Sequence, residues 1–260
     1  MSELAQQQPI QIRTAQGGFY AGFNPWVAAI PKVIILLLIG WVAASTSAAG
    51  DYLLSLQTWS TATFAGWYMY VTAFLTVTCL GLALWSPSGK LLLGQPGDAP
   101  EFSLFTWLSM MFGAGIGIGM LTYSTAEPIF HFTTNPETIQ GLANPLQPDN
   151  VRNAYKWALL HYGLTPWACY GVIGIALGYL KYAKGLPLTV RSGLQPLFGS
   201  RLSGWLGHMV DVAAILATLI GLGVTIGYGV SQFAAGLFNI SGLSVLMTAD
   251  GQPTLNAQIM

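Results

Sequence analysis

Residues 112–128 read FGAGIGIGMLTYSTAEP, and this stretch decides the fold of the chain. Gly113, Gly115, Gly117 and Gly119 alternate inside a long apolar segment. Each glycine costs about 1 kcal/mol relative to alanine inside a helix, so the pattern disfavours an unbroken helix. Within a membrane, non-helical backbone is tolerated only where it lines a cavity or is buried in protein. The stretch therefore predicts a broken helix that turns backbone carbonyl and N–H groups toward a ligand.

The composition of the whole chain places this stretch in a membrane protein. Charged residues make up 7% of the 260 residues and hydrophobic residues 53%, whereas soluble proteins are about 25% charged. The formal net charge is zero, which gives no indication of a nucleic-acid partner. Cys79 and Cys169 fall in apolar segments, so we expect them to pack as small side chains and not to form a disulfide.

Five regions are long and apolar enough to cross a bilayer, which takes about 20 residues. They are residues 26–49, 63–85, 102–130, 154–180 and 209–238. The chain is therefore predicted to be an all-α integral membrane protein with five transmembrane helices. Proline and asparagine predict a loop over 131–152, and the broken stretch 186–207 is expected to lie along the membrane interface.

The distribution of Lys and Arg predicts the orientation of the chain. With the N-terminus inside, the inner segments hold seven basic residues and the outer segments only Arg152 and Lys156. Cytoplasmic segments carry an excess of positive charge, so the N-terminus is expected in the cytoplasm. The expected location is a cell membrane, the bacterial inner membrane, with several spans.

The glycine run has a second interpretation, which is the close packing of helices. Small residues let helix backbones approach, but such motifs repeat every four residues along one face. Here the repeat is two residues, which spreads the glycines over several faces. A dinucleotide-binding motif is excluded, because its third glycine would fall on Ile118 or Met120.

Glu127 closes the glycine stretch, just before Pro128. An acidic group within a span is a candidate functional group. Near the outer interface it can instead form a structural ion pair with Arg152 or Lys156. We expect this second role, as a structural ion pair or an outer gate.

Two further ionisable residues lie in the later spans. Asp211 is expected to pair with Arg201 or Lys184 near the inner surface, and His161 to be a hydrogen-bonded packing residue. The sequence contains no catalytic triad or histidine-based zinc motif, so no enzyme is predicted.

Aromatic residues crowd the glycine stretch and the fourth predicted span. Tyr123 follows the glycines, and Tyr162 and Tyr170 share a rough helical face on either side of Pro166, which is expected to kink that helix. Aromatic faces attract quaternary ammonium ions by about 2 kcal/mol or more when desolvated. Ordinary packing or lipid-facing aromatics would give the same pattern, so both interpretations stay open.

Several motifs, in order along the chain, resemble the betaine/choline/carnitine transporter family. They are PEFS at 100–103, the glycine run at 113–119, AEP at 126–128, HYGLTPWACY at 161–170, KGLPLTVRS at 184–192 and HMVD at 208–211. The resemblance runs from about residue 24 to residue 237. It rests on the collinear set and not on the glycine run alone.

This resemblance implies twelve spans, the last ten forming two inverted five-helix repeats of the leucine-transporter type. Residues 1–25 would be a cytoplasmic N-terminal tail, and residues 26–85 two peripheral transmembrane helices. Residues 86–238 would hold the first three helices of the first repeat, and residues 239–260 a periplasmic or extracellular tail at a truncation point.

The resemblance also implies a binding site. The implied substrate-path residues are Gly115, Gly117, Gly119, Tyr123, Tyr162 and Tyr170. The implied sodium ligands are the carbonyl groups of Ala114 and Ile116 and the hydroxyl group of Thr218. Sodium-coupled members can carry a second threonine where Leu222 stands here, so a second sodium site is not indicated.

The implied function is a secondary transporter that takes up glycine betaine, choline or carnitine by alternating access, coupled to sodium. The expected partners are the substrate, sodium, the lipid bilayer, a second copy of the chain, and the C-terminal half of the transporter. No counterpart of the family's tryptophan-rich box is present, so the chain is expected to hold only part of the site. The alternative is a truncated or split piece, a membrane scaffold with no transport activity alone.

Overall fold

The computed structural model describes residues 10–115, 117–242, 246–248 and 253–254. These residues form α-helices joined by turns and short 3₁₀ segments. Isolated β-bridges join Ala15 to Ala21 and Met247 to Pro253. The predicted helical class is therefore confirmed.

The described residues contain nine α-helices. They are α1 (Pro25–Ala44), α2 (Thr46–Leu84), α3 (Leu104–Gly115), α4 (Ile118–Thr133), α5 (Pro136–Ile139), α6 (Val151–Tyr162), α7 (Leu164–Tyr182), α8 (Val190–Phe198) and α9 (Trp205–Ser241). Three 3₁₀ segments cover Ser88–Lys90, Pro148–Asn150 and Gly199–Ser203.

The chain divides into two compact units, which we describe separately. Unit 1 comprises the described parts of Met1–Asp98 and Leu160–Leu216, where α7 packs along α2. Unit 2 comprises the described parts of Ala99–Leu159 and Ala217–Met260. A small apolar cluster in unit 2 joins Phe238 near the end of α9 to Met247.

Many large apolar side chains of the described helices point outward. Leu37 on α1 is 69% exposed and Phe105 on α3 is 81% exposed, whereas polar Asn135 and Arg191 are buried. Soluble proteins bury apolar groups and rarely bury charged ones. The surroundings of these helices must therefore be apolar, as the hydrocarbon core of a membrane is.

Four helical stretches among the described residues are long and apolar enough to cross a membrane. They are Pro25–Ala44, Thr46–Leu84, Pro148–Tyr182 and Trp205–Ser241. The region predicted as the third span, 102–130, is divided between α3 of 12 residues and α4 of 16 residues. Such helices are about 18 and 24 Å long, which is less than the ~30 Å hydrocarbon core.

The first two spans begin and end at residues that differ from the predicted boundaries, 26–49 and 63–85. The first helix ends at Ala44, and the second begins at Thr46 and continues to Leu84. The residues between the two predicted spans are polar by composition, but their hydroxyl groups can bond to carbonyl groups of their own helix. The Thr58 hydroxyl, for example, donates to the Leu54 carbonyl oxygen at 2.9 Å.

The predicted fourth span is also interrupted. Helix α6 ends at Tyr162 and α7 begins at Leu164, so the break lies at Gly163 and not at Pro166. Proline lacks an N–H for the carbonyl four residues earlier, which is that of Tyr162, and its ring crowds that carbonyl. A helix that starts just before Pro166 avoids the conflict. The Thr165 hydroxyl bonds to the Leu160 carbonyl oxygen at 3.0 Å across the break.

The predicted interface stretch 186–207 folds into α8, a 3₁₀ segment and the first turn of α9. Arg191 of α8 is buried, and its Nε donates to Asp211 Oδ2 of α9 at 2.6 Å. The expected pairing of Asp211 with Arg201 or Lys184 was therefore wrong. Arg191 Nη1 also reaches the Leu202 carbonyl oxygen at 3.3 Å, so one guanidinium joins all three elements.

Candidate functional site

The helix break predicted by the glycine run is present, and it covers fewer residues than the run at 113–119. Helix α3 continues through Gly113 and ends at Gly115, and α4 begins at Ile118 and includes Gly119. Gly117 precedes α4 with extended backbone, φ −63° and ψ −179°. Ile116, an expected sodium ligand, lies outside the described residues. The end of α3 and the start of α4 therefore lie within one apolar region.

The conformation of Gly117 does not require glycine. Its φ is one that any residue adopts, and an added Cβ would meet only the Gly113 carbonyl oxygen, at 3.5 Å. The Met120 N–H donates to the Gly117 carbonyl oxygen at 3.0 Å, which closes the first turn of α4. What glycine provides here is open space beside the backbone.

Helix α4 carries a polar stripe of Tyr123, Glu127 and His131, which are spaced four residues apart and so lie on one face. His131 Nε2 and Glu127 Oε1 lie 3.2 Å apart, and their side chains are 17% and 13% exposed. Glu127 thus pairs with a histidine of its own helix. Of the two cations expected beside it, Lys156 pairs with Glu137 instead.

Tyr123 also meets a residue that the sequence analysis did not single out. The rings of Tyr123 on α4 and Tyr228 on α9 lie 5.8 Å apart between centroids, at an interplanar angle of 81°. The sequence signal for Tyr228 was available, because it is the only tyrosine of α9 and stands between Gly227 and Gly229. Thr225, one turn earlier, donates its hydroxyl to the Gly221 carbonyl oxygen of the same helix at 3.1 Å.

The segment that follows α4 in unit 2 is closed by three side-chain contacts. Glu137 of α5 forms an ion pair with Lys156 of α6 and accepts a hydrogen bond from Trp157 Nε1 at 2.5 Å. The hydrogen bond from Lys156, followed by that from Trp157, lowers the pKa of Glu137 from its usual 4.5. The buried amide of Asn135 donates to Asn150 Oδ1 at 2.8 Å.

The other expected site residues are distributed over both units. Gly115, Gly117, Gly119, Tyr123 and Thr218 belong to unit 2, with Ala114 in the last turn of α3.

Tyr162 and Tyr170 belong to unit 1. Tyr162 is the last residue of α6, and its ring lies 5.0 Å from that of His161. Tyr170 on α7 is 72% exposed and lies 6.1 Å from the ring of Trp167.

No group of three or more His, Cys, Asp and Glu side chains that could hold a metal occurs among the residues that the structure describes. The helix ends at the glycine break carry terminal backbone carbonyl and N–H groups, as all helix ends do.

A helix broken at glycines within an apolar region, inside a helical membrane protein, is the architecture of secondary transporters with discontinuous helices. The sequence comparison specifies the family. The chain belongs to the BCCT family, the betaine/carnitine/choline transporters, whose profile matches residues 26–253. The family consists of transporters, so the expectation that the protein is not an enzyme is confirmed.

Three relatives illustrate the similarity. The chain is 42% identical over 179 residues to the high-affinity choline transport protein of Escherichia coli K12, covering 69% of this chain and 26% of the relative. It is 37% identical over 238 residues to glycine betaine transporter 1 of Vibrio parahaemolyticus, covering 91% and 43%. It is 32% identical over 203 residues to the glycine betaine transporter OpuD of Bacillus subtilis, covering 78% and 39%. The chain thus spans less than half the length of each.

Proposed function

We propose that this chain serves the uptake of quaternary-ammonium compounds, such as glycine betaine and choline, by a secondary transporter that works by alternating access. The observation that carries the proposal is the helix break at Gly117, with Tyr123 close by on α4, in a chain of the BCCT family. The names of the relatives, a choline transport protein and a glycine betaine transporter, support the substrate class. Carnitine is a further candidate substrate of the same chemistry.

The helix termini at the break supply charge of both signs. The last carbonyl groups of α3 and the first N–H groups of α4 have no partner within their helices. The helix dipole makes the carbonyl end negative and the N–H end positive. A betaine carboxylate is favoured at the N–H end, and a sodium ion at the carbonyl end.

The residues of the proposed site follow from the family resemblance and the break. The substrate path would be lined by Gly115, Gly117, Gly119, Tyr123, Tyr162 and Tyr170. Sodium would be the coupling ion, and its ligands would be the Ala114 and Ile116 carbonyl groups and the Thr218 hydroxyl group.

We also propose how the helices cross the membrane. Helices α3 and α4 together form one span, which brings the number of spans to five, and the N-terminus lies in the cytoplasm. The three spans after α2 would be the start of a leucine-transporter-like repeat, in the bacterial inner membrane. The excess of Lys and Arg in the inner segments supports this orientation.

Uptake measurements test the function directly. Bacteria that lack their own osmolyte transporters would express the complete reading frame that contains this sequence. They would receive radiolabelled glycine betaine, choline or carnitine in sodium or potassium medium. We expect saturable uptake of at least one compound and higher uptake in sodium. A correctly inserted protein with no uptake above the empty-vector control would contradict the function. Equal uptake in both media would contradict sodium coupling alone.

A further inference from the structure

Tyr228 places an aromatic ring beside the proposed substrate path. It lies on α9 between two glycines, and its side chain is 44% exposed. Its ring stands nearly perpendicular to that of Tyr123, with centroids 5.8 Å apart. Both residues belong to unit 2. Tyr123 is six residues from Gly117, which corresponds to about 9 Å along α4.

The geometry of the pair suits a second contact with a cation. In a perpendicular pair, the positive edge of one ring meets the negative face of the other, so the contact between the two rings covers at most one face of either. The exposed fraction of Tyr228 leaves part of its ring accessible. Cations bind over such faces, and trimethylammonium groups are bound in proteins by sets of aromatic rings.

A carboxylate also lies on the face of α4 that carries Tyr123. Glu127 is one helical turn from Tyr123 on the same face of α4, and its side chain is 13% exposed. A trimethylammonium group has no N–H and cannot donate a conventional hydrogen bond. It is therefore attracted by ring faces and by carboxylate charge without an N–H hydrogen bond.

We propose that Tyr228 is a further substrate-contacting residue, which with Tyr123 forms a two-ring wall for the trimethylammonium group. The inference rests on the proposed function, and it adds a specificity-determining residue on a helix from which only Thr218 was expected to contribute. Because the contact is made through the ring face, the phenol oxygen of Tyr228 is dispensable and the electron density of the ring is not.

A fluorinated series at residue 228 tests the contact. The complete protein would carry Tyr228→Phe, or phenylalanine with one, two or three ring fluorines at residue 228. Fluorine withdraws electrons from the ring face with little change in size. We expect Tyr228→Phe to keep the wild-type KM for glycine betaine or choline. Each fluorine should raise KM, and Tyr228→Leu should raise it roughly threefold to thirtyfold, the range of cation–π contacts.

The matched control is the same fluorinated series at Tyr155, an exposed residue on α6 of the same unit. A packing role for Tyr228 would leave KM independent of fluorination, because all rings of the series fill the same space. Unchanged KM across the series and in Tyr228→Leu, with normal wild-type uptake, would overturn the inference and leave the proposed function standing. No wild-type uptake of any quaternary-ammonium compound would overturn both. If Tyr228→Leu fails to insert, the fluorinated series decides.

Discussion

Gly117 shows how a single residue can matter through the side chain that it lacks. Its backbone is extended and an added Cβ fits without a clash, so the position needs glycine neither for its φ nor for packing within α3 and α4. If substrate passes this point, the requirement is space. Helix propensity alone would not distinguish Gly117 from Gly113, which lies within α3.

Gly117→Leu is expected to abolish betaine uptake while membrane insertion stays normal, because the larger side chain fills the space beside the break. Gly117→Ala is the matched control and is expected to insert and to keep more activity, since its Cβ makes only an ordinary contact. Uptake and surface amount would be measured together in the full-length protein. Normal uptake by the leucine variant would show that the break is not on the substrate path.

Glu137 provides a pH-dependent contact outside the membrane spans. Its hydrogen bonds with Lys156 and Trp157 lower its pKa from 4.5, so these contacts favour the ionised form in the folded protein. Their stabilisation is therefore complete above pH 4.5 and is lost as the pH falls through the lowered pKa.

We expect the wild-type protein in detergent to have a lower thermal midpoint at pH values below 4.5 than at pH 7. Glu137→Gln should be less stable than wild type at pH 7, and the difference should shrink in acid. Asp149→Asn, an exposed acidic residue of the same loop region, serves as the control. A constant difference between Glu137→Gln and wild type at all pH values would contradict this assignment.

At the scale of elements, the packing of α7 on α2 depends on a glycine. A Cβ at Gly171 would lie 3.2 Å from the Cys79 sulfur, whereas a Cβ at Gly174 would meet nothing within 4 Å. A side chain at Gly171 therefore requires Cys79 to shift, whereas one at Gly174 does not.

Gly171→Leu is expected to destabilise the protein by about 1–3 kcal/mol, as overpacking generally does. Gly171→Ala should cost less, and Cys79→Ala should relieve that cost by removing the crowded sulfur. Thermal unfolding in detergent would measure all three, with Gly174→Leu as the control. Equal effects of leucine at residues 171 and 174 would show that Cys79 does not limit the approach of the helices.

The corner between α8 and α9 depends on a buried ion pair. Arg191 binds Asp211 through both its Nε and its backbone N–H, at 2.6 and 3.3 Å. Arg191 Nη2 also lies 3.1 Å from His208 Nδ1. A guanidinium only donates hydrogen bonds, so His208 must accept at Nδ1 and carry its proton on Nε2.

Asp211→Asn is expected to cost about 3–5 kcal/mol, because it leaves the buried Arg191 cation without its carboxylate. The double variant Arg191→Met/Asp211→Leu should be much less destabilised, since no charge then remains buried. Thermal unfolding of the single and double variants would separate the two cases. A double variant that is as unstable as Asp211→Asn would show that the corner needs the pair for its shape.

At the scale of the whole molecule, the distribution of basic residues predicts the orientation in the membrane. Gln140 lies in the segment expected outside, and Gly89 in the segment expected inside; both are exposed. We expect a membrane-impermeant maleimide to label Gln140→Cys in intact cells, in a background that lacks Cys79 and Cys169. Gly89→Cys should react only after permeabilisation. The opposite pattern would establish the reverse orientation.

The sequence predicted the parts of the fold that depend on local composition. Apolar length located the regions around α1, α2, α7 and α9, and the alternating glycines located the break between α3 and α4. It failed for residues 50–62, which were expected to link the first two spans but belong to α2. Their hydroxyl groups make the stretch look polar, although such groups can bond to carbonyl groups of their own helix. The sequence also placed the second break at Pro166. The helix is interrupted at Gly163 instead, which avoids a clash between the Pro166 ring and the carbonyl group of Tyr162.

The sequence by itself determined that this is a helical membrane protein of the BCCT family, because hydropathy, glycine spacing and collinear motifs are properties of the chain alone. Only the tertiary structure decided which side chains meet. Asp211 was expected to pair with Arg201 or Lys184 and binds Arg191. The ring of Tyr228 lies against that of Tyr123, which the sequence did not indicate. Partners of this kind are selected by the position and direction of helices. Several residues of the sequence have the charge or type of a possible partner. Only their positions in the structure show which of them makes the contact.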